Sequence, residues 1–258
     1  MTTPIHSRLI TRRSVLTGVA LAAPALLVGC DRLTEAPSFQ QIVFDSGEWL
    51  NYRVQRLIGS NALAPEFDAS QMSPEFRTNG NTSVSSADYM QYKAQDFNNW
   101  TLKFTGLVTA PKTYSMTELK SKPARTQITR HDCVEGWSAI GKWTGVPLAA
   151  LLAEVGLQPE ARYIVFRCAD VFSGTPYYES IDLIDAFHPQ TILAHTMNDA
   201  PLSEPHGAPL RLRVERQLGY KHAKFIMQVE AVATLADIAK GRGGFWEDNG
   251  SYAWYAGI

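Results

Sequence analysis

The chain has 258 residues, enough for one large domain or two small ones. Its 24 lysines and arginines stand against 25 aspartates and glutamates. That balance excludes the basic excess of a nucleic-acid binder. Charged residues at 19% and aromatics at 10% fit a packed domain, not a disordered chain. The three cysteines, Cys30, Cys133 and Cys168, are odd in number and irregularly spaced, so they make no disulfide framework.

The N-terminus reads as an address and not as fold. Thr11-Arg12-Arg13-Ser14-Val15-Leu16 resembles a twin-arginine export signal. Residues 15–29 are apolar, but a membrane span needs roughly twenty such residues. The stretch ends in Leu27-Val28-Gly29-Cys30, which resembles a bacterial lipobox. That resemblance implies cleavage before Cys30 and a lipid anchor on it, and Asp31 resembles the signal for inner-membrane retention. The alternative is a plain cleaved signal with release into the periplasm. Residues 31–41 then read as a tether with little pattern.

Residues 42–99 show no clean periodicity, and turn-forming residues cluster at 77–86. Residues 100–108 alternate apolar and polar and predict a strand. Ser115 and Glu118 have capping-box spacing and open a short helix. A strand over 126–131 leads into Cys133. A glycine-punctuated loop carrying Trp137 and Trp143 follows, then a helix that Pro147 starts and Gly156 ends. Residues 162–168 predict a core strand, 180–187 a short helix, and 191–197, 210–214 and 223–233 further strands. There is no regular βαβ rhythm and no dinucleotide glycine fingerprint, so the class is α+β.

Two constellations carry chemistry. Cys133 follows Arg130, His131 and Asp132 directly; cationic neighbours lower a thiol's pKa. The residues alone leave three readings of Cys133: metal ligand, nucleophile of a cysteine hydrolase using His131, or buried structural thiol. The nucleophile reading is disfavoured, because neighbours one or two apart on a strand seldom face each other. In the second constellation Leu210, Leu212 and Val214 alternate with Arg211 and Arg213, which places both arginines on one strand face. The loop Leu218-Gly219-Tyr220-Lys221-His222-Ala223-Lys224 follows. Such groups surround a phosphate, or they form a solvated basic face. The C-terminal aromatics from Phe245 to Tyr255 read as packing that closes the domain, with a substrate channel as the alternative.

The run RHDCVEGWSAIGKWTGVPL resembles the molybdenum-site segment of the sulfite oxidase family of molybdopterin enzymes, and more closely its methionine sulfoxide reductase branch. The likeness extends from about Trp100 to the C-terminus and loosely back to Arg77. It implies a sulfite-oxidase-type molybdopterin-binding fold in a single domain. Cys133 would ligate molybdenum, and soft thiolates suit a metal already held by sulfur. The stretch from Pro205 to Lys224 is similar to the family's pterin-binding segment. It implies His206 and Arg211 on the cofactor and His222, Ala223 and Lys224 around its phosphate. Asn79 or Asn81 stands where relatives contact the pterin. Cys168 stands where the reductase branch has threonine, and His206 where that branch has asparagine but sulfite oxidases have histidine.

The function implied is oxygen-atom transfer to or from a small S- or N-oxide type substrate of the sulfite or sulfoxide class. Arg130 and His131 are expected to hold that substrate. No Cys-x-x-Cys-His haem motif and no flavin or nicotinamide fingerprint is present. Electrons are therefore expected from an external partner, a membrane b-type cytochrome or a soluble cytochrome c. The expected organisation is a signal over 1–29, a tether over 30–41, a wrapping arm over 42–99 and a catalytic core over 100–258. A monomer is expected, periplasmic and held to the inner membrane by Cys30. The alternatives are the cysteine hydrolase and a non-catalytic periplasmic binding lipoprotein.

Overall fold

The computed structural model describes residues 37–57, 59 and 62–258; the signal, Cys30 and residues 31–36 lie outside the described residues. The chain divides into two units, residues 1–50 and 51–258. In the first, the described part is the opening of helix α1 (Pro37–Leu57), which continues into the second. The sequence reading shows no periodicity here, and this helix corrects it. Ser46, Gly47 and Arg53 interrupt its apolar stripe and blur the 3.6-residue repeat. Pro37 fits a helix start, where its missing N–H costs nothing.

The second unit is built on two five-stranded sheets. One orders as β2 (Lys112–Ser115), β1 (Thr101–Gly106), β10 (Ile226–Val232), β5 (Tyr163–Phe172) and β6 (Thr175–Asp182). Only its β1–β10 pair is parallel. The other orders as β3 (Arg125–Asp132), β4 (Ser138–Pro147), β7 (Ile192–Met197) and β8 (Ala200–Pro201), with β9 (Arg211–Arg213) also on β7. Helices α2 (Ala87–Ala94), α3 (Met116–Ser121), α4 (Leu148–Val155), α5 (Leu183–Ala186) and α6 (Phe245–Gly250) pack around them. The main core draws Phe104, Ile164 and Phe166 from one sheet, Val146 and Leu193 from the other, and Leu148, Leu151 and Leu152 from α4. This is the α+β class the sequence predicts. No helix among the described residues is long and apolar enough to cross a membrane.

Local rules place most elements. At the start of α3, Ser115 Oγ accepts from Glu118 N at 3.2 Å, and the Glu118 carboxylate accepts from Ser115 N at 2.7 Å. Gly156 ends α4 at φ +65°, in the left-handed region. Two further elements differ from expectation. The glycine-rich loop after Cys133 is strand β4 from Ser138 on. Its glycines serve close packing: a Cβ on Gly145 would lie 2.2 Å from Leu193 O, and one on Gly141 2.9 Å from the Phe76 ring. The helix expected over 180–187 is only Leu183–Ala186. Strand β6 runs on to Asp182, whose carboxylate caps α5 by accepting from Asp185 N at 2.9 Å.

Candidate functional site

Cys133 sits in the turn between β3 and β4, which pair with Asp132 opposite Ser138. Its N–H donates to Trp137 O at 2.9 Å, and its carbonyl accepts from Gly136 N at 3.0 Å. Gly136 takes φ +87°, which only glycine adopts freely. The turn leaves the Cys133 thiol free and buried, on the wall of a cavity of about 140 Å³. Burial pushes the thiol pKa up, against the pull of the Glu135 and Val134 N–H groups. This corrects the expectation that cationic neighbours lower it.

Those neighbours leave opposite faces of β3. His131 points inward and is buried, while Arg130 is exposed and pairs with Asp132 at 2.9 Å. Arg130 lines a separate cavity of about 230 Å³ with Asp132, Glu215 and Arg216. The structure therefore does not place Arg130 at Cys133, and the expectation that it holds substrate there is corrected. His131 lies behind the Cys133 cavity, not on its wall. Its Nδ1 accepts from Arg213 Nη1 at 2.9 Å, and its ring meets His222 edge-on at 5.0 Å. Burial, then His222 and Arg213, hold its pKa well below the ordinary histidine value. This neutral imidazole is committed to Arg213 and is no general base for Cys133, which removes the structural support for a cysteine hydrolase.

The second constellation is half legible from strand alternation. Arg211 and Arg213 share a face, but both are fully buried, so the solvated basic face is excluded. Arg213 has a carboxylate partner: its Nε is 2.9 Å from Glu215 Oε1 and its Nη2 2.5 Å from Oε2. Arg211 has none. Its Nη1 donates to His206 O at 3.0 Å, and the Trp143 ring lies 4.9 Å away. Its Nε and Nη2 have no hydrogen-bond partner among the described residues. Burial, then Arg213, pushes the Arg211 pKa down to about 9. His222 Nε2 donates to Gln217 O at 3.0 Å, and Nδ1 has no hydrogen-bond partner among the described residues. Lys224 Nζ donates to the carbonyls of Asn79 (2.6 Å), Pro205 (3.0 Å) and Asn81. Its pKa is pushed down to about 7, first by burial and then by Arg211. Ala223 is buried, and its carbonyl accepts from Leu212 N at 2.8 Å.

Of the residues read from sequence, the fold brings Cys133, Asn79, His222 and Lys224 onto one cavity. It leaves Arg211, Ala223, His206 and Cys168 off that wall. Both His206 ring nitrogens are engaged, Nδ1 with Ser203 Oγ at 2.9 Å and Nε2 with Phe76 O at 3.1 Å. What His206 offers Arg211 is its backbone carbonyl. Cys168 packs against the main core, its Sγ 3.8 Å from Phe166 O, and burial holds its thiol well above the ordinary value.

Sequence reasoning missed Asp170. It lines the cavity, its Oδ2 accepts from Asn81 Nδ2 at 2.9 Å, and its buried Oδ1 has no partner among the described residues. Burial raises its pKa. Strand β5 runs on past Cys168, where the sequence reading stopped, and that extension carries Asp170 to the wall. Tyr177, Tyr220, Trp246 and Tyr252 complete the wall, with Trp246 stacked on Tyr252 at 5.7 Å and 24°. The C-terminal aromatics read as packing are thus also lining.

Among the described residues no group of three or more His, Cys, Asp or Glu side chains could hold a metal ion. One thiol shares a cavity wall with buried Lys224, and buried Arg211, whose charge acts on Lys224, keeps Nε and Nη2 unpartnered among the described residues. That donor set fits a metal carried on an anionic organic group, not an ion caged by protein ligands.

Residues 89–237 match the oxidoreductase molybdopterin binding domain. A chain of Azospira oryzae named as a protein-methionine-sulfoxide reductase subunit is 35% identical over 98% of this chain and 90% of its own length. The protein-methionine-sulfoxide reductase catalytic subunits of Ralstonia nicotianae and Xanthomonas campestris are 38% and 35% identical. Those matches cover 52% and 54% of this chain but 44% and 47% of theirs, so the chain spans less than half the length of these two relatives. The sulfane dehydrogenase SoxCD of Paracoccus pantotrophus superposes with a TM-score of 0.48 at 23% identity, over 53% of this chain and 39% of that one.

Proposed function

The chain belongs to the oxidoreductase molybdopterin binding domain family, and from that premise we propose that it reduces a sulfoxide to a thioether, with molybdenum held on a molybdopterin. The observation that carries this reading is a thiol and a buried lysine on one cavity wall, with Arg211, whose charge acts on that lysine, keeping two donor groups unpartnered among the described residues.

Cys133 is the metal ligand in this proposal, and when bound the molybdenum supplies the two-electron oxygen-atom chemistry. The side chains hold and orient. Arg211 offers Nε and Nη2 to the phosphate of the pterin tail, and His222, Ala223 and Lys224 form the loop beside it, where the N–H and carbonyl of Ala223 are already engaged with Lys221 and Leu212. Asn79 and the buried Asp170 face the N–H and carbonyl groups of the ring system. His206 acts through its carbonyl, which fixes Arg211. His131 positions Arg213, itself neutralised by Glu215. Asn79 and Asn81 reach the cavity from the arm, in keeping with residues 42–99 as part of one functional domain with the 100–258 core.

The substrate class rests on two supports. The relative that matches nearly the whole chain is named a methionine-sulfoxide reductase subunit. The aromatic wall of Tyr177, Tyr220, Trp246 and Tyr252 also suits a sulfur-bearing aliphatic side chain. The sulfoxide oxygen leaves as water, which takes two protons and two electrons. Those electrons come from a membrane b-type cytochrome or a soluble cytochrome c. The twin-arginine-like and lipobox-like leader assigns a periplasmic enzyme tethered at Cys30.

Steady-state assays of the purified holoenzyme test this. Peptidyl methionine sulfoxide should be reduced with a reduced viologen dye, and sulfite should not be oxidised with ferricytochrome c. Trp246→Ala should raise KM for the sulfoxide with less effect on kcat. Sulfite oxidation without sulfoxide reduction would overturn the assignment.

A further inference from the structure

Packing alone does not explain Trp143. The residue is fully buried on β4, yet its indole N–H has no hydrogen-bond partner among the described residues. An unpaired buried N–H costs free energy that leucine or phenylalanine would avoid. What the indole adds is its face. The guanidinium carbon of Arg211 lies 4.9 Å from the ring centroid and that of Arg213 4.4 Å. Both are within reach of a cation–π contact, for which tryptophan is the best ring.

Sheet register brings ring and guanidinium together. Ala194 on β7 pairs with Gly145 of β4 on one side and with Arg211 of β9 on the other. A hydrogen and a methyl leave the space over that row to the two larger side chains. Phe76 packs on the ring at 5.2 Å and 85°, and Ala194, Met197 and Leu202 belong to the same cluster, so the ring is held in place. The two arginines depend on it unequally. Arg213 also has Glu215 and His131. The Arg211 guanidinium has the His206 carbonyl and this ring, and its Nε and Nη2 stay unpartnered among the described residues. A carboxylate in the ring's place would neutralise Arg211 and repel an anionic ligand. A ring face lowers the cost of the buried cation, takes none of its donors and adds no net charge.

We infer that Trp143 is a positioning residue, whose ring holds Arg211 charged and in place with two donors open for the phosphate of the pterin tail. This inference rests on the cofactor reading given above.

The test uses the full chain. Trp143→Leu and Trp143→Phe are each made in the parent and in an Arg211→Met background, and the cofactor-free proteins are unfolded in denaturant. The difference in midpoint between the two variants should shrink by about half in the Arg211→Met background, since one of the two cations on the ring is gone while any volume effect remains. A difluorinated tryptophan at residue 143 alone then keeps the ring's shape and weakens its face. That holoenzyme should lose pterin during dialysis about threefold or more faster than the parent, and Trp143→Leu about tenfold or more faster. A difference between the Leu and Phe variants that is the same in both backgrounds would overturn the inference. So would equal pterin loss from the fluorinated holoenzyme and the parent, and this comparison decides alone if Trp143→Leu does not fold. A parent that carries no pterin would instead remove the cofactor reading, and this role with it, so the two failures are told apart.

Discussion

Lys221 and Lys224 stand three residues apart, and both are buried, but they are neutralised in different ways. Lys221 Nζ lies 2.7 Å from Glu179 and also pairs with Glu247, in a fully buried cluster of one ammonium and two carboxylates. Burial and Glu247 together drive the Glu179 pKa well up, against the pull of Lys221. Gly244 makes room for the cluster, since a Cβ there would lie 2.1 Å from Glu247 Oε2. Lys224 has neutral carbonyls as acceptors, and Arg211 raises the positive charge around it. A buried charge with its counter-charge in place is architecture. A buried charge without one is built for a ligand that supplies it.

The largest effect that would break this comparison is a contrast in stability. Lys221→Met should destabilise the protein by about 3–5 kcal/mol, because two carboxylates then face each other buried. Arg211→Met should leave the cofactor-free protein at least as stable as the parent while abolishing cofactor retention. Thermal unfolding of cofactor-free samples checks both. Equal losses would mean that the two sites do not differ in kind.

A smaller effect lies in pH. An unfolded lysine titrates near 10.4, whereas the cofactor-free fold holds Lys224 at about 7. Between those values the unfolded chain binds the extra proton, so the unfolding free energy rises with pH from about 7 to about 10. Denaturant titrations at pH 7 and pH 9.5 should show the rise, and Lys224→Met should flatten it. The smallest effect is at Arg130. Its side chain is 56% exposed in a pair with Asp132, so Arg130→Ala should shift stability by no more than about 0.5 kcal/mol and leave turnover unchanged. A large loss of turnover would return Arg130 to the site.

The architecture of the site is legible in the sequence wherever a local rule applies. The alternation of 210–214 places Arg211 and Arg213 together, and the capping box starts α3. What the sequence hides is long-range. Gly141 and Gly145 read as loop residues because the packing that requires them, Phe76 and Leu193, is distant in the chain. Arg130 and His131 are sequence neighbours, yet β3 sends them to opposite faces. Asp170 carries no motif of its own and becomes a site residue only because β5 runs on past Cys168 to Phe172. The thiol pKa of Cys133 is set by burial, which adjacent charges do not report.

The most direct measurement is molybdenum and pterin content per chain in the exported protein, beside Cys133→Ser. The account predicts one molybdenum and one pterin in the parent. In the variant it predicts the pterin retained by Arg211, His222 and Lys224, the metal's sulfur charge-transfer absorption altered and turnover lost. A parent that carries no molybdenum when molybdate is plentiful would contradict it, and Cys133 would then be a buried thiol in an empty cavity.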